Sequence, residues 1–513
     1  MKKLLAAFIA LLALSACTTG ETSVSPSTVL PSPEASPSVY VPSPLPSYER
    51  PDENGRTWYQ LFVYSFCDSD GDGIGDLNGV TEKLDYIQDM GFDGIWLSPI
   101  HPSTTYHKYD VKDYCAIDPQ YGTMADFERL AEACNTRGLG VLLDLVLNHT
   151  SDEHPWFAEH PEYYHIQDAA GNGNWYKYPG GGYYEAQFWD KMPDLNLENE
   201  GLRGEITEIT RFWLGKGVRG FRLDAVKEFE SGNTAKNVEI LSWFNGMCRG
   251  IKPDVYIVGE DWDATTGLYD YYASGIDSLF AFPFAGADGY VGQTLLKASK
   301  SAEDYLKRVI EAQDYIKSRN ENATAAPFFT NHDNPRAAGF LKRDPKLIKT
   351  AWGMTLMQPG DAFVYYGEEL GMLGAGRDEN KRAPMYWTSE PNAAGMTKGP
   401  PNMESFEQVF PPLSEQMTDE NSIFSYIRDA VRLRAKYPQI GRGSIALAQL
   451  ESDNNKVAAV TRTWLDESIT IVYNLSEEAA SVTLDGELAD WLSAAGEAPT
   501  RSNLPPYTIV ILK

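Results

Sequence analysis

The feature that most constrains the fold of this 513-residue chain is an alternation of short apolar runs with helical stretches. One helix is especially clear, because Thr123 can cap its first turn, Asp126 follows three residues later, and Gly138 can end it. Buried strands that alternate with helices are typical of an α/β fold of the (β/α)₈ or TIM-barrel type. The sequence therefore predicts such a barrel, with strands at 59–64, 94–97, 141–147, 218–223, 256–258, 276–282, 327–330 and 362–366.

Polar residues follow several of these runs, where a barrel places its chemistry. The segments 144–149, 220–224, 258–261 and 331–333 lie at the ends of the third, fourth, fifth and seventh runs. The carboxyl ends of parallel strands open at one face of a barrel. We therefore expect the carboxylates of Asp224, Glu260 and Asp333 to point into one cup.

Two segments depart from the alternation. Residues 149–195 are rich in Gly, Tyr, Trp and His, and a connection of this length is usually functional or a small inserted domain. After about residue 438 the pattern changes to short alternating segments, such as 457–463, 469–474 and 508–512. We assign 51–437 to the barrel, including the short inserted domain 149–195 after the third strand, and 438–513 to a C-terminal antiparallel β-sandwich domain.

The N-terminus carries the pattern of a bacterial lipoprotein leader. Lys2 and Lys3 precede an apolar run at 4–14 that is too short to span a bilayer, and Leu14-Ser15-Ala16-Cys17 resembles a lipobox. This predicts a signal peptide and lipobox at 1–17, with Cys17 lipidated. Residues 18–50 are rich in Pro and Ser and predict an extended tether. The expected location is extracytoplasmic, with the protein lipid-anchored to the cell membrane.

Charge and cysteine content narrow the remaining possibilities. The formal net charge is −28, which disfavours nucleic acid as a partner because phosphates repel such a chain. Four cysteines besides Cys17 allow three disulfide pairings or four buried thiols, and the sequence does not choose among them: Cys67, Cys115, Cys134 and Cys248. We expect a monomer.

The strand-end segments together resemble the α-amylase family, glycoside hydrolase family 13. The four main regions of that family occur in order, and three further stretches match at 75–79, 192–196 (Met-Pro-Asp-Leu-Asn) and 365–368. The Met-Pro-Asp-Leu-Asn stretch at 192–196 resembles that of an intermediate group of bacterial lipoprotein amylases. By this resemblance Asp224 is the nucleophile, Glu260 is the general acid/base, and Asp333 grips sugar hydroxyls. Glu260 must hold a proton near neutral pH, so its pKa should be raised.

The resemblance also implies a set of substrate-binding residues. Tyr109 would stack under the sugar before the cut, and Arg222 would keep Asp224 ionised. Lys227 would hold the sugar beyond the cut, although this chain continues with Glu228 where the common amylase pattern has His. The full expected set is Tyr109, His107, Asp110, His149, Arg222, Lys227 and His332.

An acidic, glycine-rich loop suggests a metal ion. Oxygen ligands alternate around a tight turn, which suits Ca²⁺ as a hard cation, and the loop matches a calcium loop of part of the family. The twelfth position is Gly79 and not Glu, so the loop is not an EF-hand. The expected ligands are Asp68, Asp70, Asp72, Ile74 and Asp76. A second Ca²⁺ between the barrel and the insertion could use Asn148 and Asp194.

These features predict a retaining glycoside hydrolase that cleaves internal α-1,4 bonds of starch, maltooligosaccharides and related α-glucans through a covalent intermediate. An exo-acting α-glucosidase, an oligo-1,6-glucosidase or a neopullulanase-like enzyme is the alternative, because pocket depth is not readable from the sequence. A non-catalytic glucan-binding surface protein is a more remote alternative, since such proteins typically lose the carboxylates that are present here.

Overall fold

The first half of the barrel alternates as expected. In this computed structural model, residues 55–171, 173–452 and 454–513 are described, so the leader at 1–17, Cys17 and the tether lie outside the described residues. The order of elements is β1 (Thr57–Leu61), α1 (Leu77–Glu82), α2 (Leu84–Met90), β2 (Gly94–Leu97), α3 (Met124–Thr136) and β3 (Gly140–Leu145). The capping box of α3 is present, because Thr123 accepts from the Asp126 N–H and Asp126 accepts from the Thr123 N–H.

A small insertion follows β3. It contains α4 (Pro155–Glu159), β4 (Ile166–Gln167), β5 (Trp175–Lys177) and β6 (Tyr183–Glu185). The three strands form an antiparallel sheet in the order β4-β6-β5. This sheet is short, and its last strand leads directly back towards the barrel.

The second half completes an eight-stranded parallel sheet in the order β10 (Thr324–Ala326), β9 (Ser278–Phe280), β8 (Tyr256–Gly259), β7 (Gly220–Leu223), β3, β2, β1 and β11 (Ala362–Tyr365). Two hydrogen bonds bring its edges together, since Asp361 N–H donates to the Ala325 carbonyl (2.9 Å) and Phe363 N–H donates to the Pro327 carbonyl (2.8 Å). The expected barrel is confirmed. Its remaining elements are α5 (Glu200–Gly215), β7 (Gly220–Leu223), α6 (Thr234–Ile251), β8 (Tyr256–Gly259), β9 (Ser278–Phe280), α7 (Tyr290–Leu296), α8 (Ala302–Arg319), β10 (Thr324–Ala326), α9 (Ala337–Phe340), α10 (Pro345–Leu356) and β11 (Ala362–Tyr365).

The seventh strand lies earlier than the sequence suggests. The apolar run at 327–330 is outside the strand, and β10 consists of Thr324–Ala326. Pro327 has no N–H to donate to a neighbouring strand, so regular pairing ends before it. The expected strand at 327–330 is therefore wrong by several residues.

Aromatic rings fill the inside of the barrel. Trp58 on β1 is fully buried and stacks on Tyr256 (5.7 Å between ring centroids) and on Phe363 (6.2 Å). Trp96 packs against Phe280 at 5.3 Å. This packed interior leaves the carboxyl ends of the strands as the place for a site, as in other barrels of this type.

The C-terminal part is an antiparallel β domain. Its five-stranded sheet has the order β12-β13-β14-β18-β16, and a two-stranded sheet pairs β15 with β17. Residues 438–442 are helical, so the sheet starts at Ser444. The elements are α11 (Asp378–Lys381), α12 (Leu413–Gln416), α13 (Ile423–Lys436), α14 (Pro438–Arg442), β12 (Ser444–Ala448), β13 (Val457–Trp464), β14 (Glu467–Asn474), β15 (Ala480–Ser481), β16 (Leu488–Ser493), β17 (Asn503–Leu504) and β18 (Thr508–Leu512).

Two general properties concern the described residues only. Within these residues no helix is both long and apolar enough to cross a membrane. All four cysteines in the same ranges are free thiols, three of them buried and Cys115 exposed.

Candidate active site

Two neighbouring strands bring two of the carboxylates together. Asp224 follows β7 and Glu260 follows β8, and the parallel register pairs Leu223 with Gly259 immediately before them. The Glu260 N–H donates to the Leu223 carbonyl at 2.9 Å, which continues the ladder to the site. The two side chains therefore leave the sheet side by side at its carboxyl edge.

Arg222 is the centre of the site. Its guanidinium is completely buried and contacts three carboxylates, with Nη1 at 2.7 Å from Asp144 Oδ1 and 2.6 Å from Asp224 Oδ1, and Nη2 at 2.8 Å from Glu260 Oε2. Arg222 lies two residues before Asp224, so both side chains project to the same face of β7. A buried guanidinium that holds several carboxylates fixes their positions as well as their charge.

Glu260 differs in protonation from a surface glutamate. Burial raises its pKa to about 8, since the charges of Asp224, Asp333 and Asp144 add to burial and together outweigh Arg222. The raised pKa favours the protonated form of Glu260 near neutral pH. A carboxylic acid held neutral in this way can donate a proton to a leaving group.

Asp333 has the opposite behaviour. Burial alone would raise its pKa, but His332 and Arg382 lower it to about 2. Arg382 Nη2 lies 2.8 Å from Asp333 Oδ1 and Arg382 Nη1 donates to the Tyr106 hydroxyl at 2.9 Å. Asp333 is therefore an ionised acceptor at the rim of the same cup. The sequence gives no motif for Arg382, which reaches Asp333 from the loop after α11.

A hydrogen-bonded chain supports the site from below. Gln60 Nε2 donates to His332 Nδ1 (2.7 Å), His332 Nε2 lies 2.7 Å from the Tyr109 hydroxyl, and that hydroxyl donates to Asp144 Oδ2 (2.9 Å). Burial lowers the pKa of His332 to about 3, so its ring is neutral and Nε2 carries the proton. The Tyr109 ring also stacks on the His332 ring at 5.5 Å.

Asp144 belongs to this network, although the sequence indicated it only as a strand-end residue. It is fully buried, and burial raises its pKa to about 7. Its contacts with Arg222, Tyr109 and Trp96 show that it positions the residues of the site and is not exposed to a ligand.

The other residues expected to bind sugar lie around the cup and differ in the contacts that they already make within the protein. His149 is buried, and its Nε2 has no hydrogen-bond partner among the described residues. His107 Nδ1 accepts the N–H of Tyr109 (3.2 Å), and burial lowers the pKa of His107 to about 4. Lys227 Nζ lies 3.5 Å from the Trp262 carbonyl. These three side chains can present neutral or cationic donors to hydroxyl groups.

Asp110 already accepts several hydrogen bonds within the protein. It is completely buried and accepts hydrogen bonds from the hydroxyls of Ser103, Thr104 and Thr105, and from the Thr104 N–H at 2.8 Å. Burial would raise its pKa, but these hydrogen bonds lower it below the usual value. In this structure Asp110 holds the loop that carries His107 and Tyr109, and its contact with sugar stays a prediction.

Two exposed aromatic rings flank the cup, and sequence reasoning did not single them out. Phe188, on the insertion, is 51% exposed and lies 5.3 Å from the His149 ring. Trp262, two residues after Glu260, is 53% exposed and packs on Phe282. Exposed rings beside a polar cup can stack on the apolar faces of sugars.

The acidic loop after β1 gathers part of the expected calcium ligands. One carboxylate oxygen from each of Asp68, Asp70 and Asp76 lies within 4.8 Å of the others. The Asp72 carboxylate instead accepts the Ile74 N–H at 2.7 Å. Three clustered carboxylates suit a hard divalent cation, so the residues fit Ca²⁺.

The second expected metal position lies between the barrel and the insertion. Asn148 Nδ2 donates to Asp194 Oδ1 at 3.1 Å, and Asn148 Oδ1 is buried without a hydrogen-bond partner in the described part of the chain. Burial raises the pKa of Asp194 to about 8, and Glu185 and Glu228 add to this shift. An amide oxygen without a partner beside the Asp194 carboxyl group also fits a cation.

The fold and the site together define a class of protein. Paired carboxylates at adjacent strand ends, both in contact with one buried arginine and one of them with a raised pKa, are typical of a barrel enzyme that hydrolyses glycosidic bonds.

Comparison with known proteins specifies the family. The α-amylase catalytic domain matches residues 60–443. The chain belongs to the α-amylase family, glycoside hydrolase family 13, and is a hydrolase that acts on glycosyl bonds.

Individual relatives span nearly the whole chain. Alpha-amylase 3 of Dictyoglomus thermophilum is 34% identical and the match covers 91% of this chain and 94% of that protein. An oligo-1,6-glucosidase of Parageobacillus thermoglucosidasius is 30% identical, covering 82% and 90%. The solved structure of Eubacterium rectale Amy13B is 41% identical with a TM-score of 0.87, covering 90% of this chain and 96% of that one.

Proposed function

We propose that the protein is a retaining α-amylase that cleaves internal α-1,4-glucosidic bonds in starch, maltooligosaccharides and related α-glucans. The observation that carries the proposal is the bridging of Asp224 and Glu260 by the Arg222 guanidinium, at 2.6 and 2.8 Å. Retaining enzymes need closely spaced carboxylates, about 5–5.5 Å apart, whereas inverting enzymes leave about 6.5–9.5 Å for a water. A shared guanidinium favours the closer spacing.

The first half of the reaction uses both carboxylates. An Asp224 oxygen attacks the anomeric carbon as the glycosidic C–O bond breaks, and Glu260 gives its proton to the leaving oxygen. The products are a glycosyl ester of Asp224 and a shortened glucan with a free hydroxyl. The raised pKa of Glu260 supports this role because the acid form is present at neutral pH.

In the second half Glu260, now ionised, removes a proton from water as that water attacks the anomeric carbon. The ester bond breaks, Asp224 leaves as a carboxylate, and Glu260 is protonated again. Asp333 would accept hydrogen bonds from sugar hydroxyls as the ring flattens. Tyr109 would stack under that sugar, and the remaining expected ligands would hold its hydroxyls: His107, Asp110, His149, Arg222, Lys227 and His332.

The choice between endo- and exo-cleavage is the finer part of the proposal. Similarity to an α-amylase at 34% identity supports endo-action, and similarity to an oligo-1,6-glucosidase at 30% identity supports the exo-acting alternative. The intact carboxylates argue against a binding-only protein. We favour endo-action because Phe188, beside His149, and Trp262, two residues after Glu260, are exposed and offer stacking surfaces for a continuing chain.

The product profile on soluble amylose tests this proposal, with the wild-type enzyme beside Asp224→Asn. Endo-action predicts a rapid fall in polymer size and mixed maltooligosaccharides of α-anomeric form, with neither seen for the variant. Release of glucose alone while polymer size is kept would support the exo-acting alternative. Binding of glucan without hydrolysis by the wild type would support the binding-protein alternative.

Calcium is the proposed cofactor. Asp68, Asp70, Asp72, Asp76 and the Ile74 carbonyl would hold Ca²⁺ in the loop after β1, and Asn148 and Asp194 would hold a second ion beneath the insertion. Bound Ca²⁺ would supply structural cross-linking. Ligands that bind only the folded state stabilise it by about 2.7 kcal/mol at a hundredfold excess over Kd.

Chelation tests the metal proposal. EDTA is expected to lower the unfolding temperature, and added Ca²⁺ should restore it. Asp70→Asn should reduce the response to Ca²⁺, whereas Asp466→Asn, an exposed change in the C-terminal sheet domain, should leave the response unchanged. An unfolding temperature that is insensitive to EDTA would contradict the proposal.

The anchor is a separate proposal that rests on residues 2–17. The protein would be a monomer held outside the cytoplasmic membrane by lipid on Cys17. Cys17→Ser should release it from the membrane fraction without loss of hydrolysis, and retention of that variant in the membrane fraction would contradict the anchor.

A further inference from the structure

A large groove lies at the opposite end of the barrel from the carboxylates. Its cavity volume is about 690 Å³, and it is lined by residues at the amino ends of β7–β10, by the end of α8 and by the start of the C-terminal sheet. Binding sites for small ligands have volumes of about 300–1,000 Å³. The groove is therefore large enough for a short stretch of a sugar chain.

The groove is charged but electrically balanced. Four basic side chains line it: Arg219, Arg249, Lys317 and Arg442. Four acidic side chains also line it: Asp254, Asp277, Asp314 and Glu321. The formal charges cancel, in a chain whose net charge is −28. A lining without net charge exerts no overall attraction on a charged ligand, so the groove suits a neutral ligand.

Internal ion pairs hold the polar groups of the groove in place. Arg249 Nη2 lies 2.8 Å from Asp277 Oδ1, and Arg219 pairs with Asp254. Lys317 Nζ donates to the Glu321 and Ala323 carbonyls at 2.7 and 3.0 Å. Guanidinium and ammonium groups that are fixed in this way keep N–H donors that can form further hydrogen bonds with hydroxyls.

One wall of the groove is aromatic. Trp464, the last residue of β13, is half-buried and lines the groove, and the Arg442 guanidinium lies 5.7 Å from its ring centroid. Gln313 on α8 lines the groove as well. Because the Arg442 guanidinium lies over one face of the Trp464 ring, the other face would receive a ligand. A pyranose ring has an apolar C–H face and a rim of hydroxyls, so a tryptophan face beside polar donors and acceptors matches both.

We propose that this groove, with Trp464 as its stacking platform, is a second binding site for a neutral α-glucan chain, separate from the site of hydrolysis. The ligand class rests on the proposed function. The strands separate the groove from Asp224 and Glu260, so a glucan in the groove holds the enzyme on polymer while the cup acts on other segments. Short soluble substrates do not need the groove.

Adsorption to insoluble starch granules tests the groove without hydrolysis when it is measured in full-length Asp224→Asn protein. Adding Trp464→Ala is expected to weaken adsorption about tenfold, the loss typical of an aromatic anchor. Trp464→Phe should keep most of the binding because it keeps a ring. Trp491→Ala is the matched control, since Trp491 is 46% exposed in the same domain but outside the groove, and it should adsorb as the parent.

Activity separates this inference from the proposed function. When it is introduced into the wild-type protein, Trp464→Ala should hydrolyse maltotetraose at the wild-type rate and granular starch more slowly than the wild type does. Unchanged adsorption of Trp464→Ala, or an equal loss of adsorption in Trp491→Ala, would contradict the proposed binding site even if hydrolysis is normal. If Trp464→Ala unfolds early, adsorption of Gln313→Ala can be compared with that of Trp491→Ala, because Gln313 lines the groove from α8. Unchanged adsorption of Gln313→Ala would then contradict the proposed binding site.

Discussion

At the scale of single residues, the buried carboxylates of the site differ in their pKa values according to their neighbours. Arg222 contacts Asp144, Asp224 and Glu260, yet burial raises the pKa of Glu260 to about 8, while Asp333, beside His332 and Arg382, has a pKa of about 2. Carboxylates with well separated pKa values can divide the roles of proton donor and permanent anion.

The raised pKa of Glu260 predicts the alkaline side of the pH profile. The acid form is needed for bond cleavage and is lost as pH rises through about 8, so kcat/KM on maltooligosaccharides should fall there. The measurement is kcat/KM against pH. With α-maltosyl fluoride, whose leaving group needs no proton, the fall should disappear. A fall of equal size with the fluoride would assign the titration to another group.

The site residues that are hardest to predict from the sequence are those that lie far along the chain from the strand-end motifs. Asp224, Glu260 and Asp333 could be expected because each follows an apolar run that becomes a strand. Arg382 could not, because it lies 49 positions after Asp333 and its loop carries no pattern that places it there. Pairings of this kind depend on tertiary folding and leave no local periodicity.

At the scale of elements, local chemistry decides where helices and strands begin. The Thr123–Asp126 box defines the first turn of α3, and this was visible in the sequence. By contrast β10 is Thr-Ala-Ala before a proline, and three small residues give little apolar signal, so the apolar pattern places the strand at 327–330 instead. The hydrophobic pattern locates strands well only when their residues are large.

The capping box predicts a local stability effect. Thr123→Ala removes the side-chain acceptor for the Asp126 N–H and should cost about 1 kcal/mol of unfolding free energy. Urea unfolding measures this, and hydrolysis should be unchanged. Thr136→Ala is the control, since Thr136 is exposed at the other end of α3 and bonds only within its own helix. Equal loss in both variants would contradict a specific capping role.

At the scale of the whole molecule, the barrel and the C-terminal sheet share one core. Tyr305 and Val309 on α8 belong to the same buried cluster as Val460 and Ile471 of the sheet. Arg462 on β13 is fully buried and donates to the carbonyls of Ile440 (2.6 Å) and Gly443 (2.8 Å). The sequence predicts both domains. How they pack against each other depends on side chains from distant segments, and no local pattern shows which of these meet.

The shared core predicts joint unfolding. Calorimetry should show one transition for the barrel and the sheet. Arg462→Met should lower the unfolding free energy by about 2 kcal/mol or more, because two buried carbonyls lose their donor. The control is Arg501→Met, an exposed arginine of the same domain, which should change little. Two separate transitions in the wild type would show that the domains fold independently.

The proposed mechanism depends on a covalent bond between Asp224 and the sugar. Glu260→Gln treated with α-maltosyl fluoride can form the glycosyl ester but lacks the base that removes it. Intact-protein mass spectrometry should show a gain of one maltosyl group, and peptide mapping should place it on Asp224. No adduct together with β-anomeric product from the wild type, or an adduct on Asp333, would contradict this mechanism.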